Sequence, residues 1–225
     1  MSFMMIAIDG PAGAGKGTLA NHLAHIYHLS HLDTGLLYRA VALKMVEGGE
    51  DFADKEAAIK AALSLQIADL KHSSLRDEAI GNMASEIASI PEVRTILLNL
   101  QRDFAKKPLG GKQGVVLDGR DIGLVVLPEA LCKIYVTASP EIRAKRRLKE
   151  LHQKGIDSIY EAVLEDIKMR DARDQERKVS PLQPAEDAFI LDTSELGIDD
   201  TIKKACLFVD SKYPEAQKKV QVSSE

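Results

Sequence analysis

Tryptophan is absent from this 225-residue chain, and phenylalanine and tyrosine together supply only 4% of it. With hydrophobic residues at 45%, the core must rest on Leu, Ile, Val and Ala. Cysteine is almost as scarce. Cys132 and Cys206 stand far apart without metal-type spacing, which excludes a disulfide framework and a zinc knuckle. Cys206 shares a helical stripe with Ile202, Ala205 and Val209, and Cys132 leads into an apolar strand, so both read as reduced packing thiols. No apolar run approaches the roughly 20 residues that span a bilayer. The N-terminus carries no signal-peptide pattern, so the expectation is a soluble, cytoplasmic protein without a membrane partner. An excess of positive charge is missing too: 30 Lys and Arg face 34 Asp and Glu, a formal net charge of -4. That argues against a nucleic-acid partner, which calls for a basic face, and leaves any anionic ligand to a local basic site.

Against these absences stand short, strongly apolar runs. Met4–Ile8, Gly114–Leu117, Lys133–Thr137 and Phe189–Leu191 read as buried parallel strands, with a fifth in His31-Leu32. Helical stretches separate them, a βαβα order that implies an α/β fold with a parallel sheet and right-handed crossovers. The length suits one α/β domain over residues 1–210 with embellishments. One is a mostly helical excursion from about Asp51 to Pro108. The other, from Ile142 to Lys178, is rich in Lys and Arg and opens with Ser139 as N-cap, Pro140 at the first helical position and Gly155 at the far end. Residues 211–225 are polar and read as a frayed tail.

The first strand runs into Gly10-Pro11-Ala12-Gly13-Ala14-Gly15-Lys16-Gly17-Thr18, which then opens a helix. Glycines let backbone N–H groups converge on phosphate oxygens, the helix N-terminus adds partial positive charge, and Lys16 adds a full one. Strand, lysine and helix together identify a P-loop, with all nine residues as candidate ATP ligands. The common form places Ser or Thr directly after the lysine, where its hydroxyl binds Mg²⁺. Here Gly17 stands there and Thr18 follows, so Mg²⁺ is expected to be held mainly through phosphates and waters. A GTP-binding switch would need an Asn-Lys-x-Asp or Thr-Lys-x-Asp reader and an Asp-x-x-Gly switch, and neither is present.

Three further segments carry candidate chemistry. Asp33-Thr34-Gly35-Leu36-Leu37-Tyr38-Arg39 opens a second helix, with Asp33 or Thr34 as its cap and Tyr38 one turn from Thr34. Asp118-Gly119-Arg120-Asp121 ends a strand, and ligands of open parallel sheets bind beyond the carboxyl ends of strands. Arg170, Asp174 and Arg177 continue a helical stripe that starts with Ile159, Val163 and Ile167, in a helix expected from Ser158. An internal salt-bridge ladder accounts for that charged stretch as well as a ligand does.

Gly10–Thr18, Asp33–Arg39, Asp118–Gly123 and Arg170–Leu182 together resemble the bacterial cytidylate kinases in order and spacing, from about Met4 to Val209. The resemblance implies a P-loop kinase fold: a five-stranded parallel sheet flanked by helices, a nucleoside monophosphate-binding region over about 34–108, and a helical lid over about 142–178. It implies an ATP-dependent nucleoside monophosphate kinase with Mg²⁺ as cofactor, acting on CMP or dCMP as a monomer. Arg39 and Arg120 would grip the CMP phosphate, Ser85, Arg94, Asp121 and Arg177 would face the cytosine, and Arg170 and Asp174 would hold the ribose, with Thr34 and Tyr38 beside them. Lys16, Arg120, Arg170 and Asp118 form the catalytic set, and Arg143, Arg146 and Arg147 are lid candidates for spreading charge. Asp118 or Asp33, with Thr18, would attend the Mg²⁺ waters. A carboxylate such as Asp121 accepts from the N4 amino group of cytosine, whereas uracil offers a carbonyl there.

Fuller members of that family carry an antiparallel β insert. Only Leu65–Leu70 is even weakly strand-like here, so the insert reads as shortened. His22, His25, His28 and His31 recur every third residue, but that step drifts around a helix and cannot converge on one ion, so they read as surface and boundary residues. The alternative is a kinase for another monophosphate or a small metabolite on the same cradle.

Overall fold

The computed structural model describes residues 3–51 and 53–215. Strands β1 (Met4–Asp9), β2 (Ser30–Asp33), β3 (Gly114–Gly119), β4 (Cys132–Thr137) and β5 (Phe189–Asp192) form one sheet in the order β2-β3-β1-β4-β5. β1 pairs in parallel with β3 and β4, and β4 with β5. Every residue of β3 is buried, as expected of an inner parallel strand covered on both faces. The α/β class and the five strands agree with the expectation from the apolar runs, and β2 is the strand hidden in His31-Leu32.

The described residues divide into two compact units. One is Asp33–Lys107; the segments up to Leu32 and from Pro108 onward form the other. In the latter, α1 (Lys16–Ile26) and α8 (Ile198–Lys212) cover the sheet. Ile6, Ile8, Leu19, Leu23, Ile134, Val136 and Val209 fill that core, with Phe189 stacked on Phe208 at 4.8 Å between centroids. Burying each such side chain contributes on the order of 1.5–3 kcal/mol. Helices α6 (Pro140–Gln153) and α7 (Tyr160–Glu176) pack on each other through Ala144, Leu151, Val163 and Ile167. The Ser139 hydroxyl accepts from the Ile142 amide and Pro140 is the first residue of α6, the N-terminus expected there. α7 starts at Tyr160 rather than Ser158. Ile159 precedes it and is exposed, so the inward stripe begins at Val163, and Arg177 lies just past the helix end.

The second unit is helical. α2 (Gly35–Gly48), α3 (Lys55–Leu63), α4 (Glu78–Ile87) and α5 (Pro91–Lys106) bury Leu37, Val41, Met45, Ala58, Ile87, Val93 and Leu97. The strand-like stretch at Leu65–Leu70 is a 3₁₀ turn, Ile67–Lys71, closed by a capping box between Gln66 and Asp69. Among the described residues, no strand lies between Thr34 and Lys107.

The polar tail expected from Ser211 is corrected at its start. Ser211 and Lys212 complete α8, and Tyr213 is buried. The Tyr213 hydroxyl accepts from the Met5 amide and donates to the Met5 carbonyl, both at 3.1 Å. Met5 lies one residue before the β1–β4 register begins, so the phenol satisfies the main-chain groups that β4 does not. Residues 216–225, the rest of the expected tail, lie outside the described residues. Among the described residues, no helix is long and apolar enough to cross a membrane. Tyr213→Phe is expected to lower the unfolding free energy by about 1–3 kcal/mol, read as a fall in urea midpoint at unchanged m-value, because two partly buried main-chain groups lose their partner.

Candidate active site

β1 and β3 lie side by side with Ile8 opposite Asp118 and Asp9 opposite Gly119, so the glycine loop and the Asp118–Asp121 turn leave the sheet at the same edge. At the start of the loop, a Cβ on Gly10 would sit 1.9 Å from the Val136 carbonyl oxygen, so only glycine fits against β4. Gly15 precedes α1 at φ 94°, in the left-handed region, and delivers Lys16 to the first turn. Lys16 is buried, and its Nζ donates to the Pro11 carbonyl at 2.7 Å, spanning the loop. The first turn of α1 holds no acidic residue, which preserves its positive end for an anion.

A residue not singled out from the sequence organises this edge. Asp9, at the end of β1, accepts from the main-chain amides of Ile122 and Gly123, both at 2.7 Å. The Asp118–Asp121 turn is thereby tied to the strand that launches the P-loop. Burial pushes the Asp9 carboxyl up from 3.8 to about 6. The amides of Gly123 and Ile122 oppose that rise, Asp121 adds to it, and Lys16 draws it down. Only an acid before a glycine loop marked it in the sequence.

Asp118, at the end of β3, is 5% exposed, and its Oδ1 lies 2.7 Å from His31 Nε2. Its Oδ2 would be 4.0 Å from a Cβ built on Gly17. Arg120 donates through Nε to Asp174 of α7 at 2.8 Å, joining two motifs 54 residues apart in sequence. The internal ladder is therefore not the whole account of the charged stretch. Burial alone would raise the Asp174 carboxyl, but the charge and hydrogen bond of Arg120, then Arg170 and Arg177, hold it below the ordinary carboxylate value. Arg120, Arg170, Asp174 and Arg177 thus form one electrostatic cluster, and buried Asp121 directly follows Arg120.

The three lid candidates expected to spread charge each hold partners within the protein. Arg143 is 3% exposed and donates to Asp171 of α7, the Ala138 carbonyl and the P-loop carbonyl of Ala12. Arg146 holds Thr193 through side chain and main chain, and Arg147 pairs with Glu150. Arg143 and Arg146 are braces of the fold.

Within the helical unit, the Asp33 carboxylate accepts from the Gly35 amide at 3.0 Å, so Asp33 rather than the Thr34 hydroxyl caps α2. Thr34 is buried. Arg39 donates to the carbonyls of Leu75 and Asp77 at 2.8 and 3.1 Å and lies over Gly81, where a Cβ would come within 2.6 Å of its Nη2. Arg94 is buried, donates to the Ala88 carbonyl and lies 5.7 Å from the centroid of Tyr38. Ser85 is 9% exposed and its buried Oγ has no hydrogen-bond partner among the described residues. Such a hydroxyl calls for an explanation, and a ligand atom supplies one.

Candidate magnesium attendants are oxygen donors near the P-loop: Asp118 with Oδ2 at Gly17, and exposed Thr18 in the first turn of α1. This hard-oxygen set fits a Mg²⁺ held mostly by phosphates and water. No cluster of three or more His, Cys, Asp or Glu suited to a dedicated metal cage occurs among the described residues.

Asp9→Asn tests the tie between the two loops. An amide offers one acceptor to two N–H groups, and a loss of about 1–3 kcal/mol at pH 7 is expected in urea denaturation. Because the folded Asp9 value lies above the unfolded one, the folded chain binds the proton more tightly. The Asp9 contribution to stability therefore falls as pH rises from 3.8 to about 6 and is constant above. The variant should show a shallower decline over that window than the parent protein.

The family model described as cytidylate kinase matches residues 6–210. A cytidylate kinase of Paramagnetospirillum magneticum is 54% identical over 208 residues, covering 92% of this chain and 98% of its own. One of Methylocella silvestris is 51% identical over 210 residues, covering 93% and 95%. Among solved structures, an uncharacterized protein from Eubacterium ventriosum superposes with a TM-score of 0.53 at 15% identity, covering 92% of this chain and 99% of its own, a likeness of fold alone. With P-loop, Asp-Gly-Arg-Asp turn and arginine cluster in place, and identities above one half across nearly the whole length, the chain belongs to the cytidylate kinase family.

Proposed function

We propose that this protein transfers the γ-phosphoryl group of ATP to CMP or dCMP, giving ADP and CDP or dCDP. The observation that carries the reading, beside family membership, is the cluster of Arg120, Asp174, Arg170 and Arg177 at the sheet edge that also bears the P-loop. It assembles charge for an anionic nucleotide where a fold of this class binds one.

Residues Gly10–Thr18 take the ATP phosphates through main-chain amides and the Lys16 ammonium. Arg39 and Arg120 hold the CMP phosphate. Arg170 and Asp174 take the ribose, the carboxylate kept ionised by its arginine neighbours so that it accepts from a hydroxyl. Asp121, Arg177, Ser85 and Arg94 read the cytosine, with Thr34 and Tyr38 as further CMP-binding residues. Asp121 accepts from the N4 amino group, and the arginines donate to O2 and N3. The buried Ser85 hydroxyl supports this assignment because it has a hydrogen bond to offer and no partner for it among the described residues.

The attacking atom is an oxygen of the CMP phosphate, already anionic, so no general base is required. It forms a bond to the γ-phosphorus as the bond to the β–γ bridging oxygen breaks, and ADP leaves with that electron pair. Lys16, Arg120 and Arg170 spread the charge that develops, and the rest of the acceleration comes from holding the two phosphates in line. Magnesium, when bound with ATP, neutralises phosphate charge, with Asp118, Asp33 and Thr18 as candidate attendants of its waters. Residues 142–178 act as a lid, and the enzyme works as a cytoplasmic monomer.

An ADP-release assay with Mg·ATP against CMP, dCMP, UMP, dTMP, AMP, GMP and shikimate tests the assignment. Preferred turnover of CMP and dCMP is expected; activity confined to another acceptor would replace the substrate and keep the kinase. Ser85→Ala separates binding from folding. Its stability should match or exceed that of the parent protein, since no internal hydrogen bond is lost, while KM for CMP rises about 5- to 10-fold, the equivalent of one neutral hydrogen bond.

A further inference from the structure

Of the four histidines spaced at three residues, His22, His25 and His28 are exposed, whereas His31 sits on β2 with its side chain 16% exposed. Both of its ring nitrogens are engaged. Nδ1 lies 3.1 Å from Asn21 Oδ1, and Nε2 lies 2.7 Å from Asp118 Oδ1. Asn21 is oriented by its own contact, since Nδ2 donates to the Gly17 carbonyl at 2.9 Å. That leaves the Asn21 amide oxygen facing Nδ1, so one ring nitrogen is held at α1 and the other at the carboxylate. Gly17, Asn21, His31 and Asp118 thus form a continuous hydrogen-bonded chain that starts at the P-loop and ends at Asp118. Asp118 Oδ2 faces back to the loop, 4.0 Å from where a Cβ of Gly17 would lie.

Gly17 stands where the common P-loop carries its metal-binding hydroxyl, and the space left by its missing side chain is the space Asp118 Oδ2 faces. We propose that His31, braced by Asn21, is a positioning residue for the metal of the donor nucleotide: by holding Oδ1 of Asp118 it keeps Oδ2 turned to the P-loop, where that oxygen takes the water shell of Mg·ATP. A carboxylate whose Oδ1 lost that partner would spend more of its time in rotamers that turn Oδ2 away from the loop, and ordering it would weaken metal binding. The inference rests on the reading of Gly10–Thr18 as an ATP cradle and is independent of which monophosphate is the acceptor.

The test measures Mn²⁺ binding by electron paramagnetic resonance with the full chain and the non-hydrolysable β,γ-imido analogue of ATP, alongside steady-state kinetics. His31→Leu is expected to weaken Mn²⁺ binding in the ternary complex about 10-fold. The Mg²⁺ concentration for half-maximal turnover should rise in parallel, with KM for CMP unchanged. His31→Gln, whose amide nitrogen reaches near Nε2, should recover most of that loss, and Asn21→Ala should fall between the two. If His31→Leu fails to fold, Asn21→Ala and His31→Gln carry the comparison. Mn²⁺ affinity equal to that of the parent protein in the folded variants, with only the urea midpoint lowered, would make His31 a plain structural brace and overturn the proposal. A parent protein that binds Mn²⁺ with the analogue yet phosphorylates no cytidine nucleotide would sink the substrate reading alone. A parent protein that binds no Mn²⁺ with it would overturn the inference together with the ATP cradle.

Discussion

The arrangement of the sheet edge depends on one buried carboxylate. Asp9 spends both of its oxygens on the amides of Ile122 and Gly123, and in doing so fixes the turn that carries Arg120 and Asp121 to the strand that carries the glycine loop. A buried charge is costly unless its hydrogen bonds are complete. Here two main-chain donors supply them, and Lys16 adds a favourable field. Without that clamp, the glycine loop and the Asp118–Asp121 turn would be neighbours only through the β1–β3 ladder, which ends at Asp9 and Gly119.

A second layer of charge extends the same logic to α7. Asp171 and Asp174, one helical turn apart, meet Arg143 and Arg120 respectively. Arg143 also reaches the Ala12 carbonyl, so α6, α7 and the P-loop share one guanidinium. Buried ion pairs of this kind are weak evidence of stability, because desolvation offsets much of their attraction. Their effect is geometric: they admit one rotation of α7 about its axis and therefore one placement of Arg170.

Local patterns were legible in the sequence and long-range ones were not. Apolar runs located all five strands, and glycine spacing with Lys16 located the phosphate loop, because each is written in a few consecutive residues. Family resemblance added Ser85 and Arg94, which local chemistry alone would have left as a helix-surface hydroxyl and a solvated cation; both are buried. Asp9, the Arg143–Asp171 pair and the Asn21–His31–Asp118 chain escaped, since each depends on partners brought together by the fold. The histidine spacing, read as surface and boundary residues, fits their places: His22 and His25 lie exposed on α1, His28 is exposed after it, and His31 is partly buried on β2. At Leu65–Leu70 an apolar alternation suggested a strand, but the Gln66–Asp69 capping box turned it into a 3₁₀ helix.

The seat of Arg39 bears on the thermodynamics of any anion it receives. Its guanidinium is clasped by the Leu75 and Asp77 carbonyls and laid across the bare backbone of Gly81, which leaves no room for a methyl group. Fixing a long, rotamer-rich side chain on association costs about 0.5–1.5 kcal/mol. In this protein that ordering is completed during folding, so any anion that docks there meets an arginine already oriented. The glycine at position 81 thereby shifts an entropic penalty from the encounter with ligand to the assembly of the helical unit.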